Sequence, residues 1–258
     1  MPRPWNKVAG EEALAGIAAA GFKYCGVLGR HPDLDITGAT PAEEADAIGA
    51  RIRQHGLEPR VVASSTPLTG SEDEALAHIR RLIDHAKRVG ISVLIEMGTS
   101  KPELFDKYFA VMRRAAGYAQ GQGVVIAMKP HGGLSTTSDD CVKAIQAVNH
   151  PGFRLCFDPG NLLYYAGERP ETTLDKLGPL SVAMCIKDET GGNGPNRSVN
   201  VTPGDGDVDF PAVFRGLKEH GFAGKPAIIE TLGGETLDEV NREAKRAHQY
   251  LTEVLANV

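Results

Sequence analysis

What most constrains the fold of this chain is a regular alternation of short apolar runs and longer amphipathic stretches, kept up almost from end to end. The runs are FKYCGVLG (22–29), PRVVASS (59–65), ISVLIEMG (91–98), VVIAMK (124–129), FRLCFD (153–158), SVAMCIKD (181–188) and PAIIE (226–230). Each is too short for an independent helix, and most lack polar alternation, as expected of strands buried on both faces. The stretches between them read as helices. SEDEALAHIRRLIDHAKRVG (71–90) opens on acids and closes on bases, as the helix dipole favours. The helix-like stretch 41–56 starts behind Thr40, a candidate cap, and closes at Gly56.

Strands alternating with helices, with no Pro-, Ser- or charge-rich linker, predict parallel βαβ units in one domain spanning 1–258. Seven runs are clear and PWNKV (4–8) is a poor eighth. A (β/α)8 TIM barrel with its first strand shortened or missing fits best, and 258 residues suit it. An open doubly wound sheet is the alternative, but no G-x-G-x-x-G follows the first run to support a dinucleotide fold. A net charge of −5 gives no electrostatic footprint for nucleic acid or an anionic membrane. No run is long enough to span a bilayer, and the first residues lack an apolar leader. The four cysteines form no CxxC pair, which fits a reducing cytoplasm. The expected partner is a small molecule.

In such a barrel, chemistry sits at the C-terminal ends of the strands. That rule selects Glu96, Lys129 with His131, Asp158 with Asn161, Cys185 with Lys187 and Asp188, and Glu230. Each has a plainer reading beside it. Asp-Pro-Gly-Asn is good turn chemistry, and Glu230 could bridge to a loop. His131 could cap a helix or bond a loop carbonyl. Lys187 and Asp188 are adjacent, so one faces the barrel mouth and the other pairs on the rim. NVTPGDGDVDF (200–210) could cradle an anion on backbone N–H groups, or be a plain connection with Asp209 capping the next helix.

The motifs KPHGG, FDPGN, CIKDE, TPGDGDVDF and AIIET, in this order and spacing, resemble the xylose isomerase-like (β/α)8 superfamily. That group includes sugar isomerases and epimerases, inosose dehydratases and AP endonuclease family 2 proteins. The resemblance runs from about residue 11 to the C-terminus. It implies a metal site built from Glu, Asp, His and Glu on the fifth to eighth strands. Asp158 and Glu230 match two of these positions. Lys129 stands in the place of the first glutamate, and Cys185 in the place of the histidine.

Three arrangements are then open. A divalent ion (Mn, Zn or Mg) could be held by His131, Asp158, Glu230 and Glu96, with Cys185 favouring zinc. The ammonium of Lys129 could replace the ion, or a buried Lys129 could lose its proton and act as base or Schiff-base nucleophile. Or the site could bind sugar without turning it over. They rank in that order: the first two imply an isomerase or epimerase that abstracts a proton next to a sugar carbonyl, assisted by a divalent metal or by Lys129, with Glu230 and Lys129 catalytic, and the third a catalytically degraded sugar-binding protein. A dehydratase or lyase on a keto-sugar is the alternative. His131, Asn161, Lys187 and Arg197 are the expected substrate contacts. An incomplete barrel would leave an edge that a second subunit could cover, giving a homo-oligomer.

Overall fold

The computed structural model describes residues 1–28 and 31–258. Among these residues the apolar runs form a seven-stranded parallel sheet in sequential order. The strands are β1 (Tyr24–Leu28), β2 (Glu58–Ser64), β3 (Val93–Glu96), β4 (Val125–Met128), β5 (Phe153–Phe157), β6 (Ser181–Ile186) and β7 (Ala227–Ile229). Gly29, which the sequence reading puts in the first run, lies outside the described residues. The helices are α1 (Gly10–Ala19), α2 (Ala42–Gln54), α3 (Glu72–Val89), α4 (Phe105–Gly121), α5 (Ser138–Val148), α6 (Pro159–Ala166), the one-turn α7 (Leu174–Leu177), α8 (Phe210–Glu219) and α9 (Leu237–Ala256). This is a TIM barrel that lacks its first strand.

The apolar runs are apolar throughout because they serve two cores at once. Val61, Ala63, Ile95, Ala127, Ala183 and Ile228 belong to a cluster filling the barrel. Their neighbours Val62, Leu94, Ile126, Met128, Met184 and Ile229 pack in the larger cluster with the helices. Successive strand residues point to opposite faces, so the two sets interleave along each strand.

Helix ends follow local chemistry. Ser71 caps α3, accepting from the Glu74 N–H, and Glu74 returns the bond to the Ser71 N–H. Gly90 ends that helix at φ +84°, a conformation in which a side chain is strained. Thr40 does not cap α2. The N-cap is Pro41, and the Thr40 hydroxyl accepts the Thr37 N–H (2.9 Å) in the preceding turn.

Among the described residues β7 does not pair back to β1, and residues 1–5 fill the gap. Pro2 and Pro4 have no N–H to offer a ladder, so this stretch cannot be a strand, and Arg3–Trp5 makes a 3-10 turn instead. Met1 joins the barrel-filling cluster. A Cβ on Gly26 of β1 would lie 2.9 Å from Met1 Cγ, and the Met1 amino group donates to the Ile229 carbonyl of β7 at 2.9 Å. The edge that the sequence reading leaves for a partner subunit is therefore met by the chain's own first residues. Among the described residues no helix is long and apolar enough to cross a membrane.

Candidate active site

Strand parity decides which strand-end residues meet. Ala127, Cys156, Cys185 and Ile228 point into the barrel. Two residues onward on each chain stand Lys129, Asp158, Lys187 and Glu230, which keep the inward direction and converge at the mouth. Lys129 Nζ lies 2.5 Å from Glu230 Oε2 and 3.6 Å from Asp158 Oδ2. Lys187 Nζ lies 3.0 Å and 3.3 Å from the same two oxygens. It also donates to Asn161 Oδ1 at 3.0 Å, and Asn161 Nδ2 donates to the Pro130 carbonyl at 2.6 Å. The four charged groups are buried, Lys129 completely.

Asp158 satisfies both readings of its motif, one with each oxygen. Oδ1 accepts the Asn161 N–H at 3.0 Å and so caps α6, with Pro159 at the first helical position. Oδ2 is buried, accepts no hydrogen bond among the described residues, and faces the two ammonium groups.

A fifth charged group, which the sequence reading does not select, completes the cluster. Arg3 Nη1 donates to Glu230 Oε1 at 2.6 Å. Nothing in MPRPW marks that arginine, because the first residues fall outside the repeat and Glu230 is 227 positions away. The usable signal is its position: a cation in the segment that takes the place of the first strand borders the last strand.

The electrostatics follow from this packing. Burial alone would raise Glu230, but Lys129, Lys187 and Arg3 outweigh it and hold the carboxyl well below its usual range. Burial alone would lower the Lys129 ammonium, but Glu230 and Asp158 outweigh that and keep it above the ordinary lysine value. Lys129 is therefore a proton-bearing cation here, not a free amine. Asp158 is pushed up by burial, against the pull of Lys187 and Lys129.

Above the cluster lies a cleft of about 270 Å³ whose walls include Arg3, His131, Asn161, Tyr164, Tyr165, Lys187 and Glu230. His131 stacks obliquely on Tyr165, ring centres 5.5 Å apart, and its N–H donates to Ser135 Oγ at 3.2 Å. The two tyrosines are also absent from the sequence reading, since they lie within α6 rather than at a strand end.

Other strand-end candidates go elsewhere. Glu96 follows the inward Ile95 and so turns out toward the helices. Its Oε1 accepts the Thr66 N–H at 3.1 Å, and burial raises its carboxyl to about 8. Glu96 is thus separated by parity from the site it was expected to join as a metal ligand. Asp188 also faces outward and makes no rim ion pair among the described residues. Its carboxylate accepts the N–H groups of Gly204 (2.8 Å), Gly206 (2.9 Å), Val208 (3.2 Å) and its neighbour Glu189 (2.9 Å). The glycine loop is an anion cradle as its sequence suggested, but these three loop donors are taken by the chain's own aspartate. A Cβ at Gly206 would come 2.2 Å from Asp188 Oδ1, so the second glycine is required by this contact. Asp209 caps α8, accepting the Ala212 N–H at 3.0 Å. Arg197 donates to the Tyr164 carbonyl at 3.1 Å and lies over the Tyr164 ring, its guanidinium carbon 4.3 Å from the ring centre.

The family model of the xylose isomerase-like TIM barrel matches residues 14–254. The chain belongs to this family. Among curated relatives, L-ribulose-5-phosphate 3-epimerase UlaE of Escherichia coli (strain K12) is 27% identical over 197 residues, 70% of this chain. The match spans 66% of that epimerase, just under two thirds of its length. Among solved structures, the IOLI protein with a bound zinc atom superposes with a TM-score of 0.76 at 16% identity, covering 99% of this chain and 96% of that one. D-allulose 3-epimerase from Methylomonas sp., in complex with D-allulose, gives 0.72 at 18% identity, covering 94% and 90%. The curated relatives above are sugar epimerases, the structural neighbours also include a probable 3-DHS dehydratase from Bacillus anthracis, and two neighbours carry a metal, magnesium in one and zinc in the other.

Three ligand-type atoms do converge in this chain. Donor atoms of Asp158, Cys185 and Glu230 all lie within 4.8 Å of one another. His131 and Glu96, both expected as ligands, are not in this group. The Lys129 and Lys187 ammonium groups are already in contact with both carboxylates.

Proposed function

We propose that this chain is an isomerase or epimerase of a polyhydroxylated carbonyl compound, working by proton transfer at the carbon next to the carbonyl. One observation carries the reading: two buried carboxylates and two buried ammonium groups, interleaved at the barrel mouth beneath a polar cleft. The environments push the two carboxyls apart, Glu230 down under the pull of its cations and Asp158 up by burial. Glu230 takes the proton. Lys129 and Lys187 stay charged and donate to the oxygen that becomes negative as the proton leaves, in a site where desolvation strengthens such contacts.

Glu230 is quenched as a base while its cations all face it. A substrate oxygen arriving between Lys129 and Glu230 draws the ammonium toward itself and leaves the carboxylate more basic. Asn161 holds Lys187 in line for the same oxygen, and Asp158 Oδ2 is left to accept a substrate hydroxyl.

In this reading the cation of the site is Lys129, and a divalent ion does not fit beside it. Each carboxylate that would attract the ion is in contact with at least one ammonium group already, and Glu230 with Arg3 as well. No step therefore passes through a metal.

The test is incorporation of deuterium from D₂O next to the carbonyl of ketoses and their phosphates, followed by NMR with chelator present. The expected result is exchange that survives chelation and disappears in Glu230→Gln. Exchange that appears only on adding Mn²⁺, Zn²⁺ or Mg²⁺ would sink the role given to Lys129. No exchange with any substrate of the panel would sink the reaction class.

A further inference from the structure

Among the side chains of the described residues, charge at the barrel mouth does not balance. Three cations (Arg3, Lys129, Lys187) surround two carboxylates (Asp158, Glu230), an excess of one positive charge with both acids ionised. A buried excess charge is unfavourable until a counter-charge arrives. The three cations are not equally placed to receive one. The side chains of Lys129 and Lys187 are 0% and 3% exposed, whereas that of Arg3 is 25% exposed. Glu230 occupies one N–H of the Arg3 guanidinium, which carries five.

Arg3 also stands between two spaces. It lines the 270 Å³ cleft over the cluster, and it lines a second cavity of about 550 Å³ between residues 3–8 and the start of α9. Glu230 is the other residue of the cluster shared by both cavities, so the Arg3–Glu230 ion pair is the partition between them. The larger cavity has Lys7 on one wall and Thr231 on another. Thr231 is buried, and its hydroxyl has no hydrogen-bond partner among the described residues. The Arg3 guanidinium, with N–H groups left over from its bond to Glu230 and a place on both spaces, is the receptor for oxygen acceptors, and Glu235 is the carboxylate on the larger cavity's wall that an anion would have to avoid.

We infer that the substrate carries an anionic group, carboxylate or phosphate, which Arg3 reads on the far side of its contact with Glu230, with Lys7 on the same cavity's wall. The group occupies the larger cavity while the carbonyl end lies over Lys129. Arg3 turning to this group lets go of Glu230, so recognition of the anion and release of the base are one event. The inference rests on the barrel mouth being the substrate site, and it names the class of substrate that site takes.

The test is calorimetric binding of D-gluconate, sorbitol 6-phosphate and neutral sorbitol at neutral pH with chelator present. At least one anion should bind about tenfold or more tighter than sorbitol, and its affinity should fall as salt is raised. Gluconate binding favours the carboxylate and sorbitol 6-phosphate the phosphate. Arg3→Ala should bring the preferred anion to the level of sorbitol, and Arg3→Lys should recover part of the preference, keeping charge but losing the planar fork. Equal binding of all three, no binding of either anion, or a preference unchanged in Arg3→Ala would each overturn the inference. Salt dependence is read on the unmutated chain, so a variant that folds poorly does not leave the question open. None of these probes carries a carbonyl, so deuterium exchange without an anion preference would overturn this inference alone. The reverse outcome would overturn only the reaction class.

Discussion

Glu96 and Glu230 begin as equals. Each ends an apolar run, each is almost wholly buried, and each looks from the sequence like a metal ligand. Their environments are opposite. Glu230 faces into the barrel among Lys129, Lys187 and Arg3 and is held strongly ionised. Glu96 sits one residue out of phase, accepts the Thr66 N–H, and is raised to about 8 by burial with no cation among the described residues to oppose it. Reaching the end of a strand does not make a residue functional. The face of the strand on which it leaves does, because one face opens on a shared polar mouth and the other on a dry helix layer.

The contrast is broken most severely at its centre. Lys129→Met would strip Glu230 and Asp158 of one of the two ammonium groups they share, a loss of roughly 3–5 kcal/mol of stability for a disrupted buried pair. Urea unfolding at pH 7 should show it, and a loss under about 1 kcal/mol would mean that Lys187 and Arg3 suffice. Glu230→Gln keeps the shape but cannot take a proton, so turnover should fall by roughly 10²–10⁴-fold. A variant within a few-fold of the parent would move the base elsewhere.

Glu96→Gln sharpens the other side, and here the sign reverses. Glu96 keeps its proton when folded up to about pH 8 and loses it near 4.5 when unfolded. The folded state therefore loses stability as pH rises from about 4.5 toward 8, and the slope ends above that. The glutamine variant removes this loss. Its unfolding free energy should match the parent near pH 4 and exceed it increasingly toward pH 8, by on the order of 2–4 kcal/mol, with catalysis intact. A variant less stable at pH 8 would show that Glu96 is ionised and paired after all. Glu230 has the opposite dependence: its contribution is present above about pH 4.5 and fades only as acid protonates it well below that value. The smallest effect belongs to Arg197→Ala, which loses a stacking contact on Tyr164 worth about 0.5–1 kcal/mol, with turnover little changed. A hundredfold loss of activity would return Arg197 to the site.

The barrel and its strand ends were legible because strands buried on both faces write themselves as unbroken apolar runs. The same property hid the parity. With Val61 and Val62, or Ile95 and Leu94, equally apolar, the sequence does not say which faces inward. Glu96 and Asp188 were therefore grouped with Lys129 and Lys187. Gly204 and Gly206 signalled a loop with free N–H groups, but the carboxylate that claims them lies 16 and 18 positions earlier. Arg3 was beyond reach for another reason. Its role depends on the missing strand, and a segment with prolines at positions 2 and 4 carries no periodicity to read.

Residues 1–5 close the ring, and this fixes an order of assembly. The chain is synthesised from the end that carries Arg3, yet its partner Glu230 emerges 227 residues later, and the carbonyl that holds Met1 emerges 228 residues later. A nascent chain that has delivered β1 to β6 can gather Lys129, Asp158 and Lys187, but it holds an unbalanced pair of lysines and an open seam. Glu230 and the closure of the seam arrive together with the last strand. A product truncated before β7 would lack both the carboxylate that Arg3 holds and the carbonyl that holds Met1.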